Sequence, residues 1–249
     1  CFIVKGVFKQ EVMTKYNEWC QHHFQQSNTH QTHPKQKDKW VINDLIERLA
    51  KQDSNLLLQL INNPIYHAIA DSLLGFSRIG AFTTHWINPG GKRQLSHVDF
   101  PCHVGSGKFW DNNPEKLKEM FTPYQLNHIL PYYSIQILIA SDAMDQTNGS
   151  TEVVPYSHLI PDLDVKLHDP EFYQSMESRF INTKLNQGDI FVFNRRLCHR
   201  GGENLSPNKR NSAIMQCVWL LGLGQHQFNS KIVEESEAYQ KLSDSEKKI

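Results

Sequence analysis

Apolar residues recur at helical spacing through the first third of the chain, and this pattern predicts a layer of helices. A polar stretch from Gln25 to Lys39 interrupts the pattern and predicts an exposed connector within the same domain. The pattern resumes in Leu56 to Leu74, where Pro64 predicts a break and Gly75 predicts the helix end. The other helical stripes are formed by Val12, Tyr16 and Trp19 and, within Trp40 to Leu49, by Leu45 and Leu49.

Beyond Ile79 the pattern changes to short β-rich runs separated by turn residues. A polar segment from Gly105 to Tyr133 interrupts these runs and is predicted to be an insertion or lid, residues 105–133. Helices followed by strands indicate a single α+β domain over residues 1–249, in which a β-sandwich or barrel is backed by helices. The predicted strands are Phe82 to Ile87, Ser134 to Ala140, Thr151 to Val154, Asp189 to Phe193 and Ser212 to Leu221.

Composition narrows the range of partners. Lys and Arg number 26 and Asp and Glu number 26, so the formal net charge is zero and no bulk charge favours nucleic acid or an acidic membrane. The most apolar stretches, such as Ile135 to Ala140, are far too short to span a bilayer. We therefore expect a water-soluble chain with no nucleic-acid or membrane partner. The sequence carries no signal of an oligomeric state.

The cysteines favour a reducing compartment, and the expected location is the cytoplasm. Their number is odd, their spacing is wide and no CxxC pair occurs, so a disulfide framework and a structural zinc site are both disfavoured. The chain begins at a cysteine and not at Met, so we expect the natural N-terminus to lie further upstream. The five cysteines are Cys1, Cys20, Cys102, Cys198 and Cys217.

Two histidines and an aspartate form a candidate metal site. Residues i and i+2 of an extended segment point to one side, so His97 and Asp99 can present a nitrogen and an oxygen to the same ion. His199 closely follows a predicted strand much later in the chain and can supply the third ligand. Such a facial triad binds Fe(II) and leaves positions open for a chelating cosubstrate and O₂. Zinc would accept the same ligands with one water.

Arg210 favours iron over zinc. A turn at Asn208-Lys209 can return the chain so that the Arg210 side chain faces the metal pocket. Its planar guanidinium binds a carboxylate with two hydrogen bonds. An oxygenase that chelates 2-oxoglutarate needs such a group for the distal carboxylate, whereas a zinc hydrolase has no evident need for it. Position alone is equally consistent with an arginine on the surface.

An ordered series of motifs resembles a known family. Its members are Phe2 to Phe8, Leu73-Leu74-Gly75, Gln94-Leu95-Ser96-His97-Val98-Asp99, Asn148-Gly149-Ser150 with Val154 to His158, and Gly188 to Phe193 followed by His199, Asn204, Ser206 and Arg210. This series is similar to the phytanoyl-CoA dioxygenase family of Fe(II)/2-oxoglutarate-dependent oxygenases. The resemblance implies a double-stranded β-helix core, of the jelly-roll or cupin type, backed by the N-terminal helices.

The resemblance also implies roles for individual residues. It makes His97, Asp99 and His199 the iron ligands and Arg210 the partner of the C5 carboxylate of 2-oxoglutarate. Gln94 stands where some members of the family place a glutamine that contacts the cosubstrate.

A second glutamine and two residues of the family's NG…PGSH segment complete the predictions. Gln136, on a presumed core strand, is a weaker candidate for a contact with the cosubstrate. Tyr156 stands where the family usually has glycine, so a different turn is possible there. His158 is expected to be a structural residue, because the triad is complete without it.

The reaction that the resemblance implies is the hydroxylation of a C–H bond of a small-molecule, organic substrate, with release of succinate and CO₂. Related halogenases have Gly or Ala at the position of Asp99, so the carboxylate favours hydroxylation or a related oxidation over halogenation. Two alternatives remain open at this point. One is a metal-dependent, cupin-like hydrolase or isomerase that does not use 2-oxoglutarate, and the other is a non-catalytic binding module of the same fold.

Overall fold

Two antiparallel sheets form the centre of the protein. The computed structural model describes residues 1–26, 31–33, 36–99, 133–219 and 233–242. The strands in these ranges are β1 (Phe2–Val4), β2 (Gln31–His33), β3 (Gln36–Ile42), β4 (Ser77–Ile87), β5 (Ser134–Ile139), β6 (Thr151–Val153), β7 (Ile181–Asn182), β8 (Ile190–Asn194), β9 (His199–Gly201) and β10 (Arg210–Trp219). The large sheet has the order β1-β8-β5-β10-β4-β3-β2, and the small sheet has the order β7-β6-β9.

Helices from the first third of the chain cover one face of the large sheet. None of the described helices is both long and apolar enough to cross a membrane. The helices are α1 (Gln10–Gln26), α2 (Leu45–Gln52), α3 (Ser54–Ile61), α4 (Pro64–Leu74), α5 (Leu163–Lys166), α6 (Pro170–Met176) and α7 (Glu237–Gln240), with 3₁₀ turns at Ser157–Leu159 and Glu177–Arg179. The α+β architecture predicted from the sequence is therefore confirmed.

The break and the end predicted for the helical run after Leu56 are confirmed. Asn63 caps α4 by accepting a hydrogen bond from the backbone N–H of Ile65, and Pro64 occupies the first turn, where its missing N–H costs nothing. The helix ends at Gly75, whose φ of 76° lies in the region that favours glycine.

Side chains along the central strands point alternately to the face that is covered by helices and to the opposite face, which lines a cavity. On β5, Ile135, Ile137 and Ile139 join the apolar cluster formed with the helices. The intervening residues Gln136 and Leu138 face a cavity on the other side of the sheet. A side-chain period of two therefore puts a polar residue on a central, buried strand without placing it among the apolar side chains.

A smaller apolar cluster joins the two sheets. Leu138 of the large sheet packs in the same cluster as Val153 of β6 and Leu197 before β9. The cavity between the sheets is consequently closed on one side by apolar packing.

Two sequence predictions are corrected by the structure. The run from Trp40 to Leu49 is helical only from Leu45 onwards, because Trp40, Val41 and Ile42 pair in register with β4. The polar connector predicted for Gln25 to Lys39 contains β2 and most of β3, which pair as a hairpin at the edge of the large sheet. Pairing with an existing sheet edge overrides the weak local pattern here. The predicted lid at 105–133 lies outside the described residues, apart from Tyr133.

Candidate metal centre

His97 and His199 are brought together by an antiparallel backbone bridge. The N–H of His97 donates to the carbonyl of His199 at 3.0 Å, and the N–H of His199 donates to the carbonyl of His97 at 2.9 Å. This bridge extends the small sheet beyond β9 and places the two imidazole rings with their centroids 4.5 Å apart. Two positions remote in sequence are thus fixed by main-chain hydrogen bonds.

Asp99 completes a cluster with these histidines. Its backbone N–H donates to the carbonyl of Arg195 at 2.9 Å, which holds the segment after His97 against the turn that precedes β9. Its Oδ1 lies 3.7 Å from Nε2 of His97, and its Oδ2 lies 3.4 Å from Nε2 of His199. In the described part of the chain, His97, Asp99 and His199 are the one group whose ligand atoms converge in this way, all within 4.8 Å of one another.

Both imidazoles, in their neutral form, would bind a metal through Nε2. Nδ1 of His97 lies 2.9 Å from the carbonyl of Leu95, and Nδ1 of His199 lies 2.8 Å from the carbonyl of Leu197. A carbonyl only accepts, so each Nδ1 carries the hydrogen and each Nε2 is the unprotonated nitrogen. Ligand atoms about 2.1 Å from one ion and at right angles lie about 3 Å apart, close to the distances between these nitrogens and the carboxylate.

The charges of the cluster reflect mutual interaction in a buried site. Burial alone would raise the pKa of Asp99, but His199, by charge and hydrogen bonding, and then His97 and Arg195 hold it well below its usual range. Burial, followed by the neighbouring His199, lowers the pKa of His97 to about 4. The pKa of His199 is raised, because Asp99 outweighs burial. The cluster therefore offers an ionised carboxylate and a neutral His97, which are the forms that bind metal.

Arg210 faces the cavity beside this cluster, as the sequence predicted. The cavity has a volume of about 290 Å³, and Arg210, Ser212 and the three clustered residues all line it. Arg210 donates from Nη1 to Oγ of Ser212 at 2.7 Å and from Nη2 to the carbonyl of Gly149. Its Nε has no hydrogen-bond partner among the described residues, and burial lowers its pKa to about 10. A buried guanidinium with no carboxylate bound to it is suited to an anionic ligand.

Lys39 is a second cation of the cavity, and the sequence analysis missed it. The residue is only 6% exposed, and no residue that the structure describes pairs with its ammonium group. Burial, followed by the charge of Arg210, lowers its pKa to about 7. The sequence analysis placed Lys39 at the end of an exposed connector. The β-rich run Trp40-Val41-Ile42 that follows it was the signal that could have revealed a strand.

The structure places both predicted glutamines at the cavity, each with a protein partner. Oε1 of Gln94 accepts from the backbone N–H of Gly201 at 2.7 Å, and the backbone N–H of Gln94 donates to the carbonyl of Gly201 at 2.9 Å. Gln136 donates from Nε2 to Oδ2 of Asp99 at 2.7 Å. A contact between either side chain and 2-oxoglutarate remains a prediction.

The segment that departs from the family pattern packs next to His199. Tyr156 adopts the left-handed conformation itself, with φ 62°, and its side chain is exposed. The hydroxyl of Ser157 accepts a hydrogen bond from the backbone N–H of Cys198 at 2.8 Å. His158 lies outside the group of converging ligand atoms, and its buried Nδ1 has no hydrogen-bond partner among the described residues, so the structural role expected for it stays a prediction.

The residues present fit both a ferrous ion and 2-oxoglutarate. Two imidazole nitrogens and one carboxylate form the donor set of a facial iron site, which leaves three positions open. The unpaired Nε of Arg210 and the ammonium of Lys39 supply positive charge for a dianionic cosubstrate in the same cavity.

Comparison with known proteins agrees with this site. The chain matches the family Phytanoyl-CoA dioxygenase (PhyH) over residues 1–212. Dioxygenase trt7 of Aspergillus terreus (strain NIH 2624 / FGSC A1156) is 26% identical over 167 residues, which make up 64% of this chain and 48% of that protein. The iron/alpha-ketoglutarate-dependent dioxygenase ausO of Aspergillus calidoustus is 22% identical over 182 residues, 67% of this chain and 52% of that protein. The chain spans about half the length of these curated relatives.

Solved structures confirm the jelly-roll core. The epimerase SnoN in complex with Fe3+, alpha ketoglutarate and nogalamycin RO superposes with a TM-score of 0.64 and 15% identity, covering 92% of this chain and 83% of that one. HygX from Streptomyces hygroscopicus with nickel and 2-oxoglutarate bound superposes with a TM-score of 0.62 and 14% identity, covering 88% of this chain and 83% of that one. Iron and 2-oxoglutarate are the cofactor and cosubstrate that the site and the comparisons support together. Because the family match extends through most of the sequence, this chain belongs to the phytanoyl-CoA dioxygenase family.

Proposed function

We propose that this protein is an Fe(II)- and 2-oxoglutarate-dependent dioxygenase that hydroxylates a C–H bond of a small organic substrate. The products would be the alcohol, succinate and CO₂. The observation that supports this proposal most strongly is the arrangement of His97, Asp99 and His199 beside two cations, Arg210 and Lys39, in one cavity. A hydrolytic metal site has no need for two buried cations, whereas a dianionic cosubstrate does.

The three ligands would hold the metal from one side. His97 and His199 direct Nε2 at a common point, because their Nδ1 hydrogens are bound to carbonyl oxygens of the main chain. Asp99 adds the negative charge that favours a divalent ion over a proton at this site. When bound, ferrous iron supplies the activation of O₂ that couples decarboxylation of 2-oxoglutarate to substrate oxidation.

Arg210 would hold the distal carboxylate of 2-oxoglutarate. Its guanidinium is oriented by Ser212 and by the carbonyl of Gly149, and Nε remains available. Lys39 would add a second positive charge. Its attraction for the cosubstrate is strengthened because the site is screened from water. Holding the cosubstrate at its far end fixes the direction in which its keto acid end points, and this orientation contributes to the rate.

Hydroxylation is favoured by the carboxylate at position 99. With Asp99 present all three protein ligands are in place, so the site lacks the free position that a glycine or alanine would give to a halide. The curated relatives trt7 and ausO are dioxygenases by name, which is consistent with oxygen insertion. The cavity of about 290 Å³ also suits a small molecule.

The test is spectroscopic and chemical. Addition of Fe(II) and then 2-oxoglutarate under anaerobic conditions should produce a metal-to-ligand charge-transfer absorption band. Admission of O₂ should then consume 2-oxoglutarate and release succinate. The control variant His199→Ala should show neither signal. Metal binding without a 2-oxoglutarate-dependent band and without succinate would instead support a hydrolase or isomerase, and would overturn the proposal.

A further inference from the structure

Gln136 contacts Asp99 from the centre of the large sheet. It lies on β5 and pairs in register with Phe193 of β8 and with Gln216 of β10, so its backbone is held from both sides. Its side chain is 4% exposed and donates from Nε2 to Oδ2 of Asp99 at 2.7 Å. A side chain on a rigid central strand can control the orientation of the carboxylate it touches.

The direction of the Gln136 amide follows from the chemistry of its partner. A carboxylate ligand offers only acceptors, so the atom that faces Asp99 is the amide nitrogen. Oε1 then points away from Asp99, and it has no hydrogen-bond partner among the residues that the structure describes.

This unpaired oxygen argues against a purely structural role. A buried glutamine retained for stability would have both its polar atoms paired, because a buried acceptor without a donor destabilises the fold. Methionine would fill nearly the same volume in Gln136's place without leaving such an acceptor. The advantage of glutamine over methionine at this position therefore lies in its contact with Asp99.

We propose that Gln136 is a positioning residue that keeps Asp99 a one-oxygen ligand of the metal. Its N–H engages Oδ2 and restrains rotation of the carboxylate, which leaves Oδ1 to the ion. A carboxylate free to bind through both oxygens would occupy a position that the cosubstrate or O₂ requires. The proposal rests on the metal centre of the proposed function, and it gives Gln136 a role different from the cosubstrate contact predicted from sequence.

Co(II) is a suitable probe, because its d–d absorption reports both affinity and coordination number in the absence of 2-oxoglutarate. The variant Gln136→Met should bind Co(II) about 10- to 100-fold more weakly than the wild type and should show an altered d–d spectrum. The metal-free variant should melt within about 4 °C of the wild type, because loss of the hydrogen bond to Asp99 is offset by removal of the unpaired Oε1. A merely structural glutamine would give the opposite pattern, with a lower melting temperature and unchanged Co(II) affinity, and that pattern would overturn the proposal.

Two further variants sharpen the result. Gln216→Met removes the same amide from the neighbouring strand, one register position across, and should leave Co(II) affinity within about twofold; equal weakening in both variants would overturn the proposal. If Gln136→Met does not fold, Gln136→Asn decides. It keeps the amide but withdraws it by about one C–C bond, roughly 1.5 Å, and should also weaken Co(II) binding. Unchanged affinity in Gln136→Asn would then count against the role.

The wild-type protein separates this inference from the proposed function. Addition of 2-oxoglutarate to the Co(II) protein should change its d–d spectrum if the cosubstrate chelates the ion. An unresponsive wild type together with weak metal binding by Gln136→Met would refute the use of 2-oxoglutarate and retain the role of Gln136. If the wild-type spectrum responds to 2-oxoglutarate and Gln136→Met binds Co(II) normally, the use of 2-oxoglutarate is retained and the role of Gln136 is refuted.

Discussion

Lys39 and Arg210 lie in register on either side of Ile87. Lys39 of β3 and Arg210 of β10 are both Cα partners of Ile87 on β4, and all three residues line the cavity. Neighbouring strands are about 4.8 Å apart, so the two backbones are separated by about 10 Å. The sheet therefore presents two basic side chains on either side of one apolar side chain, and a dianion in the cavity would meet both.

Cosubstrate binding should take up a proton at Lys39. Burial and then Arg210 lower the pKa of this residue to about 7, from an ordinary value of 10.5, and a nearby carboxylate would raise it again. At a pH between these two values, Lys39 is largely neutral in the free protein and positively charged in the complex. Affinity for 2-oxoglutarate should accordingly fall as the pH rises above about 7, by up to about tenfold per pH unit.

Calorimetry in buffers of different ionisation enthalpy measures this proton uptake directly at pH 8. The variant Lys39→Met should bind without proton uptake and with an affinity that varies little over the same pH range. A wild-type protein that takes up no proton would contradict the assignment of a neutral, buried Lys39.

Arg210 should affect the cosubstrate and not the metal. Arg210→Ala removes the charge-assisted hydrogen bonds expected for the distal carboxylate and should raise the Kd for 2-oxoglutarate by about 10- to 100-fold. The Kd for Fe(II) alone should stay within about twofold, because Arg210 is not among the converging ligands. Arg210→Lys keeps a positive charge without the planar fork, so its Kd for 2-oxoglutarate should lie between those of the wild type and Arg210→Ala. Unchanged 2-oxoglutarate binding in Arg210→Ala would exclude the residue from this role.

The residues of the candidate site could be proposed from the sequence because several weak local signals occur together in the order typical of one family. His97 and Asp99 were recognised by their spacing on an extended segment, and His199 by its place after a strand-like run. Arg210 follows a turn that returns the chain to the same cavity. The direction of His97 relative to Asp99 depends on local backbone conformation, whereas the meeting of His97 with His199 depends on a bridge between remote segments, which only the resemblance implies.

The contacts of Lys39 and Gln136 could not be predicted in the same way. Lys39 faces the cavity only because β3 adds to the edge of β4, a pairing between segments far apart in the chain. Gln136 meets Asp99 only because the fold brings β5 next to a segment that lies far from it in the chain. Tyr156 shows the converse: its departure from glycine suggested a changed turn, yet the tyrosine adopts the left-handed backbone with its side chain exposed.

Gly201 and Gln94 should be coupled energetically. A Cβ at Gly201 would lie 2.8 Å from Oε1 of Gln94, which is too close for the amide to keep its hydrogen bond to the backbone N–H of Gly201. Gly201→Ala should therefore displace Gln94 and lower the melting temperature. Gln94→Ala should lose the same hydrogen bond but leave space for a methyl group.

The double variant Gln94→Ala/Gly201→Ala measures this coupling. It should be no less stable than Gln94→Ala alone, so that the effects of the two substitutions are strongly non-additive. Additive losses in thermal denaturation would mean that Gly201 is required for its backbone alone and not for the approach of Gln94.

Substitution of two buried arginines should change the free energy of unfolding in opposite directions. Arg195 is 1% exposed, and none of its guanidinium nitrogens has a hydrogen-bond partner among the described residues. Arg200 donates to Glu152 at 2.6 Å and to Glu177 at 2.7 Å. Because an unpaired buried charge is costly, Arg195→Met should raise the free energy of unfolding of the metal-free protein by roughly 1–3 kcal/mol.

Arg200→Met is the matched control, since it removes the same group from the same segment but leaves the buried carboxylate of Glu152 with only the half-exposed Arg93, at 3.3 Å, as a cationic partner. It should lower the free energy of unfolding by about 3–5 kcal/mol. Urea denaturation of the three proteins without metal measures both effects. The attraction that Arg195 exerts on Asp99 ranks below those of His199 and His97, and we expect the gain from removing the unpaired charge to exceed its loss. A destabilised Arg195→Met would show that this guanidinium has a partner that stabilises the fold.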